Sequence, residues 1–505
     1  MSSMKRALQY AGLSALGFGG KVFKNTSLSR AIDRSLAGKM TAMKGVPLKI
    51  SQVIGMSEKD SAVLHRQALE EIDAMPMELV KSLIAEQSPL LFEDAEIDEK
   101  FYCASLGQVC LLRKDGREYA VKLQYPDSAE NMRLDNKTVN LLSSCFQNFS
   151  RGFDMSEYAE VLKEELSQEL DYSREEEMQH DFYRIFSENR DIVIPLSMKK
   201  YSTKTCLVMS WEPSMTLEEF QKTASETQLK EASRLVVDFY LTSILKYGFL
   251  HADPNPGNFG FRLLGERVQL VVYDFGSIVK LDHEKHLSLL SLFKLSLEKR
   301  NPLPALVKLN FKEELLLPIA EKIPAFLSIL LEPFLCEGRF SYSGWKRREK
   351  ARDILGEARW NFMSAAPAEL FLLMRSISGL FFYTEKLSGD IYCLPKVKEY
   401  LQTFSAELQK LEDNYPAEQL QDSLETSAYL VISVKESGAQ KVKLTLPARA
   451  IENLKNFIPE DVECKLSGKG IDLDSLVSEV RRNVYRPQEV FSLLDGSKEV
   501  LVYLE

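Results

Sequence analysis

The chain has 505 residues, of which 45% are apolar and 27% charged; this is the balance of an ordinary globular protein and excludes wholesale disorder, a collagen-like repeat and a small disulfide scaffold. At roughly 150 residues per domain, the length predicts about three domains. Lys and Arg number 64 against 73 Asp and Glu, a formal charge of −9, so nucleic acid has no electrostatic case as a partner.

Residues 1–100 read as helical, with apolar periodicity over 61–72 and 77–85. From Phe101 the pattern changes to short strands, and 107–113 and 118–123 flank Lys114-Asp115-Gly116, where Asp-Gly predicts a hairpin. Helical periodicity returns over 131–149 and 155–186, followed by strand-like 191–195 and 205–210. An amphipathic helix is expected over 228–247, a Pro- and Asn-rich loop over 251–258, a buried strand over 268–273, and almost continuous helix over 283–412. The polar stretch 413–426, with Pro416, reads as a linker. Beyond it, strands at 428–435 and 441–446, helices at 448–457 and 473–483, and a hairpin of 489–494 with 498–504 around Asp495-Gly496 make a ββααββ unit of about 80 residues. No catalytic pattern falls in that unit, so its expected role is interaction or regulation.

The seven cysteines are dispersed without a CxxC, and only five histidines are present. No zinc site is expected; reduced thiols and a cytoplasmic location are. His283 and His286 read as the solvated start of a helix. The most apolar stretches, 317–336 and 370–387, carry Glu321, Lys322 and Glu332, and Arg375 and Glu385, respectively. Neither offers about 18 uninterrupted apolar residues, so they read as buried helices and not as membrane spans. Lys5 and Arg6 precede a mildly apolar run diluted by Gly and Gln. This segment reads as a packed helix and not a signal peptide, and its amphipathic character leaves room for peripheral membrane contact.

The residues that carry chemistry are His251-Ala252-Asp253-Pro254-Asn255-Pro256-Gly257-Asn258, followed by Tyr273-Asp274-Phe275-Gly276. Phosphoryl transfer from ATP needs an acid beside the acceptor oxygen, and carboxylate and amide oxygens that hold Mg²⁺ against the phosphates. An Asp followed five positions later by Asn, then a strand delivering the Asp of DFG, is how kinases supply them. Asp253, Asn258 and Asp274 have that order and spacing. Upstream, Tyr119-Ala120-Val121-Lys122 ends a strand where a lysine meets the α- and β-phosphates. Residues 102–109 take the place of the phosphate-covering loop, but of the three glycines in GxGxxG only the last is present, as Gly107, with Tyr102 and Ala104 at the other two positions.

With that departure, the sequence resembles the UbiB/AarF (ADCK-type) family of atypical kinases, linked with coenzyme Q and other isoprenoid lipids. The family's alanine-rich AxASxGQV loop is matched by Cys103-Ala104-Ser105-Leu106-Gly107-Gln108-Val109. Its KxGQ element is matched by Lys49-Ile50-Ser51-Gln52, with Ser51 bringing a Cβ where the motif has Gly. ExD is matched by Glu169-Leu170-Asp171, HADPHPGN by 251–258 with Asn255 in place of His, and DFG by 274–276. The resemblance runs over about residues 35–400. It implies that Ala104, Ser105, Gly107 and Lys122 bind ATP, that Lys122 pairs with Glu175 of helix C, and that Asp253 is the catalytic-loop acid. It further implies that Asn258 and Asp274 hold Mg²⁺, and that Lys49 and Gln52 belong to a segment across the cleft, Lys49 pairing with Glu169 or Asp171 and excluding generic protein substrates. In the same frame 207–212 is a strand running into a hinge, with Met209 as gatekeeper and backbone groups of Ser210 and Glu212 facing adenine; Trp211 reads equally as an inter-lobe packing residue. Without the resemblance, Glu175 belongs to a solvated run of three glutamates and Lys49 to the polar face of a helix.

The expected architecture is α+β: a bilobal protein-kinase-like fold with a helical extension (1–100), N-lobe (101–212), helical C-lobe (213–412), linker (413–426) and accessory α/β module (427–505). The expected function is that of an atypical kinase-like ATPase or phosphotransferase using MgATP, in isoprenoid-lipid biosynthesis or homeostasis, with an isoprenoid lipid or lipid-biosynthetic proteins as partners. Two alternatives stand beside it: an ATP-binding switch or scaffold of weak catalytic power, and a small-molecule kinase, which shares the Asp/Asn/Asp logic but has no need of a KxGQ-like extension.

Overall fold

The computed structural model describes residues 74–103, 106–126, 156–253, 255–415, 427, 429–437, 439–482, 485, 487–496 and 498–505. The helices expected over 61–72 and 131–149, and Lys49, Gln52, Ala104 and Ser105, lie outside the described residues.

Helix α1 (Met77–Gln87) precedes strands β1 (Glu96–Cys103), β2 (Gly107–Lys114) and β3 (Arg117–Gln124). With β4 (Cys206–Ser210) they form one antiparallel sheet in the order β1-β2-β3-β4. The β2–β3 turn falls at Asp115-Gly116, with φ of 51° and 70°, the pair of left-handed residues that a two-residue hairpin turn of matching twist requires. The last six residues of β3 are all buried, so both faces of the sheet are covered. Alternation sends Cys110, Leu112, Val121, Leu123, Cys206 and Val208 to a core shared with Val80 and Ile84 of α1. The opposite set, Val109, Ala120, Leu207 and Met209, together with Lys122, turns the other way.

Apolar periodicity over 155–186 predicts one helix, yet two are found: α2 (Ser156–Glu169) and α3 (Tyr172–Phe186). Asp171 leaves the helical conformation, and its carboxylate accepts from the backbone N–H groups of Ser173 (3.1 Å) and Arg174 (3.4 Å). An N-cap of this kind satisfies donors that a new helix start leaves open, and here it outweighs the continuity of the apolar stripe.

Below the sheet, α4 (Glu226–Leu241) starts from a Ser225/Gln228 capping box and runs into a π-helical turn, Thr242–Lys246. β5 (Phe249–His251) pairs with β8 (Ile278–Lys280), and β6 (Phe259–Leu264) pairs with β7 (Arg267–Val272). The β6 strand is absent from the sequence reading; Gly265, at φ 64°, turns it into β7. Helix α5 (His283–Leu297) begins at the Asp282 cap, as a helix start was expected there. His286, however, is not solvated: it is buried, its Nε2 lies 3.0 Å from the Leu245 carbonyl, and its ring meets Phe404 edge-on. Helix α6 (Leu370–Leu387) lies along α4. An aromatic core of Phe182, Phe239, Phe249, Phe259 and Phe275 joins α3, α4 and these short strands, with Phe182 and Phe275 centroids 5.0 Å apart. Burying each such ring contributes about 1.5–3 kcal/mol. A two-stranded pair, Phe340–Ser341 with Asp390–Ile391, interrupts the mostly helical stretch.

The C-terminal strands β9 (Tyr429–Glu436), β10 (Ala439–Pro447), β11 (Gln488–Asp495) and β12 (Lys498–Leu504) form an antiparallel sheet in the order β10-β9-β12-β11. Two helices are expected between the hairpins; the segment instead holds a 3₁₀ stretch, Ala448–Phe457, kinked at Asn453, then helices Glu460–Gly468 and Leu473–Arg482. Leu430, Ile432, Val500 and Val502 of the sheet share a core with Leu306, Phe326 and Phe362 of the preceding helical region.

Candidate active site

Strand β3 delivers Lys122 from its cleft-facing side, opposite Leu207 of β4. Its Nζ donates to Glu175 Oε1 at 2.6 Å and to Asp274 Oδ2 at 3.0 Å. Glu175 stands on the first turn of α3 and is 1% exposed, so the solvated-run reading of 175–177 fails for it. Asp274 stands two residues past the end of β7, and its second oxygen accepts from the Gly276 N–H at 2.9 Å. Phe275, fully buried under α3, anchors the turn that carries Asp274.

Three ionisable groups thus meet with little water. Burial opposes the charge on Lys122, but Asp274 and Glu175 more than offset it and hold its pKa well above the ordinary value. Burial also pushes Glu175 up to about 7 against the opposing pull of Lys122. Asp274 moves the other way: burial would raise it, and Lys122 and the Gly276 N–H hold it below the usual carboxylate value.

Beside the strand end that carries Asp274, the Asn258 carbonyl accepts from the Tyr273 N–H at 3.0 Å and the Asn258 Nδ2 donates to Asp253 Oδ2 at 3.0 Å. His251 closes the arrangement from below: its Nε2 is 2.8 Å from the Asp274 carbonyl, and since a carbonyl can only accept, that nitrogen carries the proton. Burial lowers the His251 pKa, which favours the neutral ring. The other groups of the site come from α6. Arg375, 2% exposed, donates from Nη1 to Glu165 Oε2 at 2.8 Å and places Nη2 3.5 Å from Asp253 Oδ1. Tyr383, eight residues on, donates to the Asn255 carbonyl at 3.0 Å. Sequence reasoning missed both. Its one signal was a lone arginine inside an apolar helix, which a buried ion pair explains.

The ExD residues do different jobs. Glu169 Oε1 accepts from Ser277 Oγ at 2.8 Å, and Asp171 caps α3 and lies 3.6 Å from Lys204. Arg174 donates to the Gly276 and Ile278 carbonyls at 3.2 and 2.6 Å, so this helix junction holds the segment after Asp274 from two sides. At the expected hinge, Met209 is buried and Tyr102 packs on Trp211 at 5.9 Å. Of the backbone groups read as facing adenine, the Ser210 N–H already donates to Leu196 and the Glu212 carbonyl accepts from Tyr273 Oη at 2.6 Å. Gly107 begins β2 so close to its neighbours that a Cβ there would stand 2.3 Å from the Leu123 carbonyl oxygen; its requirement comes from close approach and not from φ.

Among the described residues no cluster of three or more His, Cys, Asp or Glu side chains could cage a metal, and no single helix is long and apolar enough to cross a membrane. Cys206, Cys336 and Cys393 are free thiols.

Residues 67–301 match the ABC1 atypical kinase-like domain. The chain is 23% identical to the mitochondrial atypical kinase COQ8B of Rattus norvegicus over 382 residues, 72% of this chain and 71% of that protein. It is 28% identical to the mitochondrial atypical kinase coq-8 of Caenorhabditis elegans over 273 residues, 50% of this chain and 35% of that one, so it spans about a third of the nematode protein's length. The solved structure of Rv3197 from Mycobacterium tuberculosis in complex with erythromycin aligns with 74% of this chain and 96% of its own, at 21% identity and a TM-score of 0.48. Lys122, Glu175, Asp253, Asn258 and Asp274 all fall within the matched segment, and that segment of the chain is an ABC1/AarF atypical kinase-like domain.

Proposed function

We propose that this chain binds MgATP in the cleft between the β1–β4 sheet and the helical region, and turns it over as an atypical kinase-like ATPase or phosphotransferase. The observation that carries the reading is the convergence of Lys122, Glu175 and Asp274, residues 53 and 152 positions apart in sequence from the lysine, within 2.6 and 3.0 Å of its Nζ. Lys122 would meet the α- and β-phosphates, with Glu175 fixing its position. Asn258 and Asp274 offer the hard oxygens that Mg²⁺ prefers, and two such ligands suffice where phosphates complete the shell; the bound ion supplies charge neutralisation between the phosphates. Asp253, steered by Asn258 and Arg375, would orient the attacking hydroxyl or water and take its proton. The Ser210 carbonyl and Glu212 N–H would face adenine.

The resemblance supplies the physiological context: isoprenoid-lipid, coenzyme Q-type, biosynthesis or homeostasis, with a lipid or lipid-biosynthetic protein as partner and generic protein substrates excluded by the Lys49 segment. Both relatives named above are mitochondrial by name, and a reducing mitochondrial compartment suits the free thiols as well as the cytoplasm does. The 427–505 unit is assigned an accessory role.

Asp253→Asn is the deciding variant. It keeps the shape, so melting should be little changed, while Mg²⁺-dependent ATP turnover falls about a hundredfold or more, the ordinary contribution of a positioned base; a generic protein substrate should stay unlabelled by the wild type. Equal turnover by wild type and variant would remove the enzyme reading and leave the scaffold.

A further inference from the structure

Tyr172 opens α3 beside the site, and nothing in the arrangement above uses it. Its side chain is 1% exposed, and Lys122 Nζ stands 5.0 Å from the centre of its ring. The ring packs with Ala120, Leu207 and Met209. The hydroxyl is buried and has no hydrogen-bond partner. It also lies directly beneath Gly107, where a Cβ would come within 2.7 Å of it. A buried hydroxyl without a partner is costly, and phenylalanine would fill the same space without that cost. The side chain therefore makes physical sense in a state where the hydroxyl has something to bind.

We propose that the Tyr172 hydroxyl donates a hydrogen bond to a phosphate oxygen of the nucleotide bound in this cleft. The inference rests on the MgATP reading and adds a ligand contact to it. Position selects the phosphate over the base. The ring stands beside Lys122, the cation for the phosphates, and the hydroxyl beside Gly107, which ends the loop that covers them, whereas the adenine end is at Met209 and Ser210. Chemistry selects a donor: burial, reinforced by Glu175 and Asp274, keeps the phenol protonated far above its ordinary range, so it meets an anion as O–H and not as a competing charge. A hydrogen bond to a charged partner is among the stronger ones.

The test compares the full-length wild type with Tyr172→Phe in two measurements, melting without ligand and equilibrium binding of MgATP, MgADP and adenosine. The variant should melt at or above the wild-type temperature, because an unpaired buried hydroxyl has gone, yet bind MgATP and MgADP about tenfold more weakly. Adenosine, which has no phosphate, should bind both proteins alike. Unchanged affinity of Y172F for MgATP, with the wild type binding normally, overturns this contact and leaves the nucleotide reading standing. An equal loss for adenosine also overturns it, since the contact would then be with the base or sugar. A wild type that binds neither MgATP nor MgADP overturns the nucleotide reading itself and this inference with it.

Discussion

Two lysine–carboxylate pairs in this chain have the same nitrogen–oxygen distance, 2.6 Å, and little else in common. Lys122 and Glu175 have side chains 10% and 1% exposed, and a second carboxylate, Asp274, completes the group. Lys455 and Asp474, in the C-terminal unit, are 46% and 72% exposed. Distance alone therefore says nothing about energy. Taking an ion out of water costs several kcal/mol, which attraction in a low-dielectric site offsets only with good geometry. In water the same contact is screened and nearly neutral. Clusters of the first kind, with pKa values pushed apart, are what catalytic sites are built from. The C-terminal unit shows the other pattern: Lys435–Glu499, Lys441–Glu436, Lys455–Asp474 and Lys465–Asp495 all lie at the surface, and the interior between sheet and helices is apolar.

The largest effect is expected from Lys122→Met. The substitution leaves Glu175 and Asp274 facing one another without their cation, and breaking a buried pair in this way costs about 3 kcal/mol. Denaturant unfolding should show that loss, and MgATP binding should fall with it. A variant as stable as the wild type, with nucleotide affinity intact, would erase the distinction between the two pairs.

A subtler effect is expected from pH. Burial raises Glu175 from an ordinary 4.5 to about 7, so between those values the folded protein keeps a proton that the unfolded chain has released. Stability follows the difference in bound protons between unfolded and native states. Here the native state binds more, so this group's contribution to stability falls as pH rises through the window. Glu175→Gln removes the titration. Its melting temperature relative to the wild type should therefore climb between pH 4.5 and 7 and level off above; a difference that is flat across the window would show that Glu175 is ionised throughout.

Much of this was legible from residues alone. The Asp115-Gly116 hairpin, the buried β7 strand and the order Lys122, Asp253, Asn258, Asp274 depend on local chemistry and on spacing, which a sequence displays directly. Other features depend on what lies opposite in space. Arg375 is 122 residues beyond Asp253, and as the one arginine of an apolar helix it told only against a membrane span; its partner Glu165 comes from a helix 210 positions away. The break at Asp171 was hidden because an apolar stripe continues through it while a short cap motif decides the backbone. His286 looked solvated because a helix start is usually exposed, and only the packing of Phe404 and the π-helical turn onto it shows otherwise.

The smallest effect sharpens the comparison from its other side. Lys455→Ala removes a close ion pair, but both side chains are in water before and after the change. The Coulomb gain there is small, salt screens it further, and holding a long lysine in one rotamer costs entropy that the alanine variant no longer loses. The melting temperature should stay within about 1 °C of the wild type at low and at high salt, and MgATP affinity should not move. That second readout matters because the C-terminal sheet shares its core with Leu306, Phe326 and Phe362 of the helical region. A change in nucleotide affinity with an unchanged melting temperature would mean that this surface pair is coupled to the site through that core, and the 427–505 unit would then act as a regulator of the cleft and not as a passive appendage.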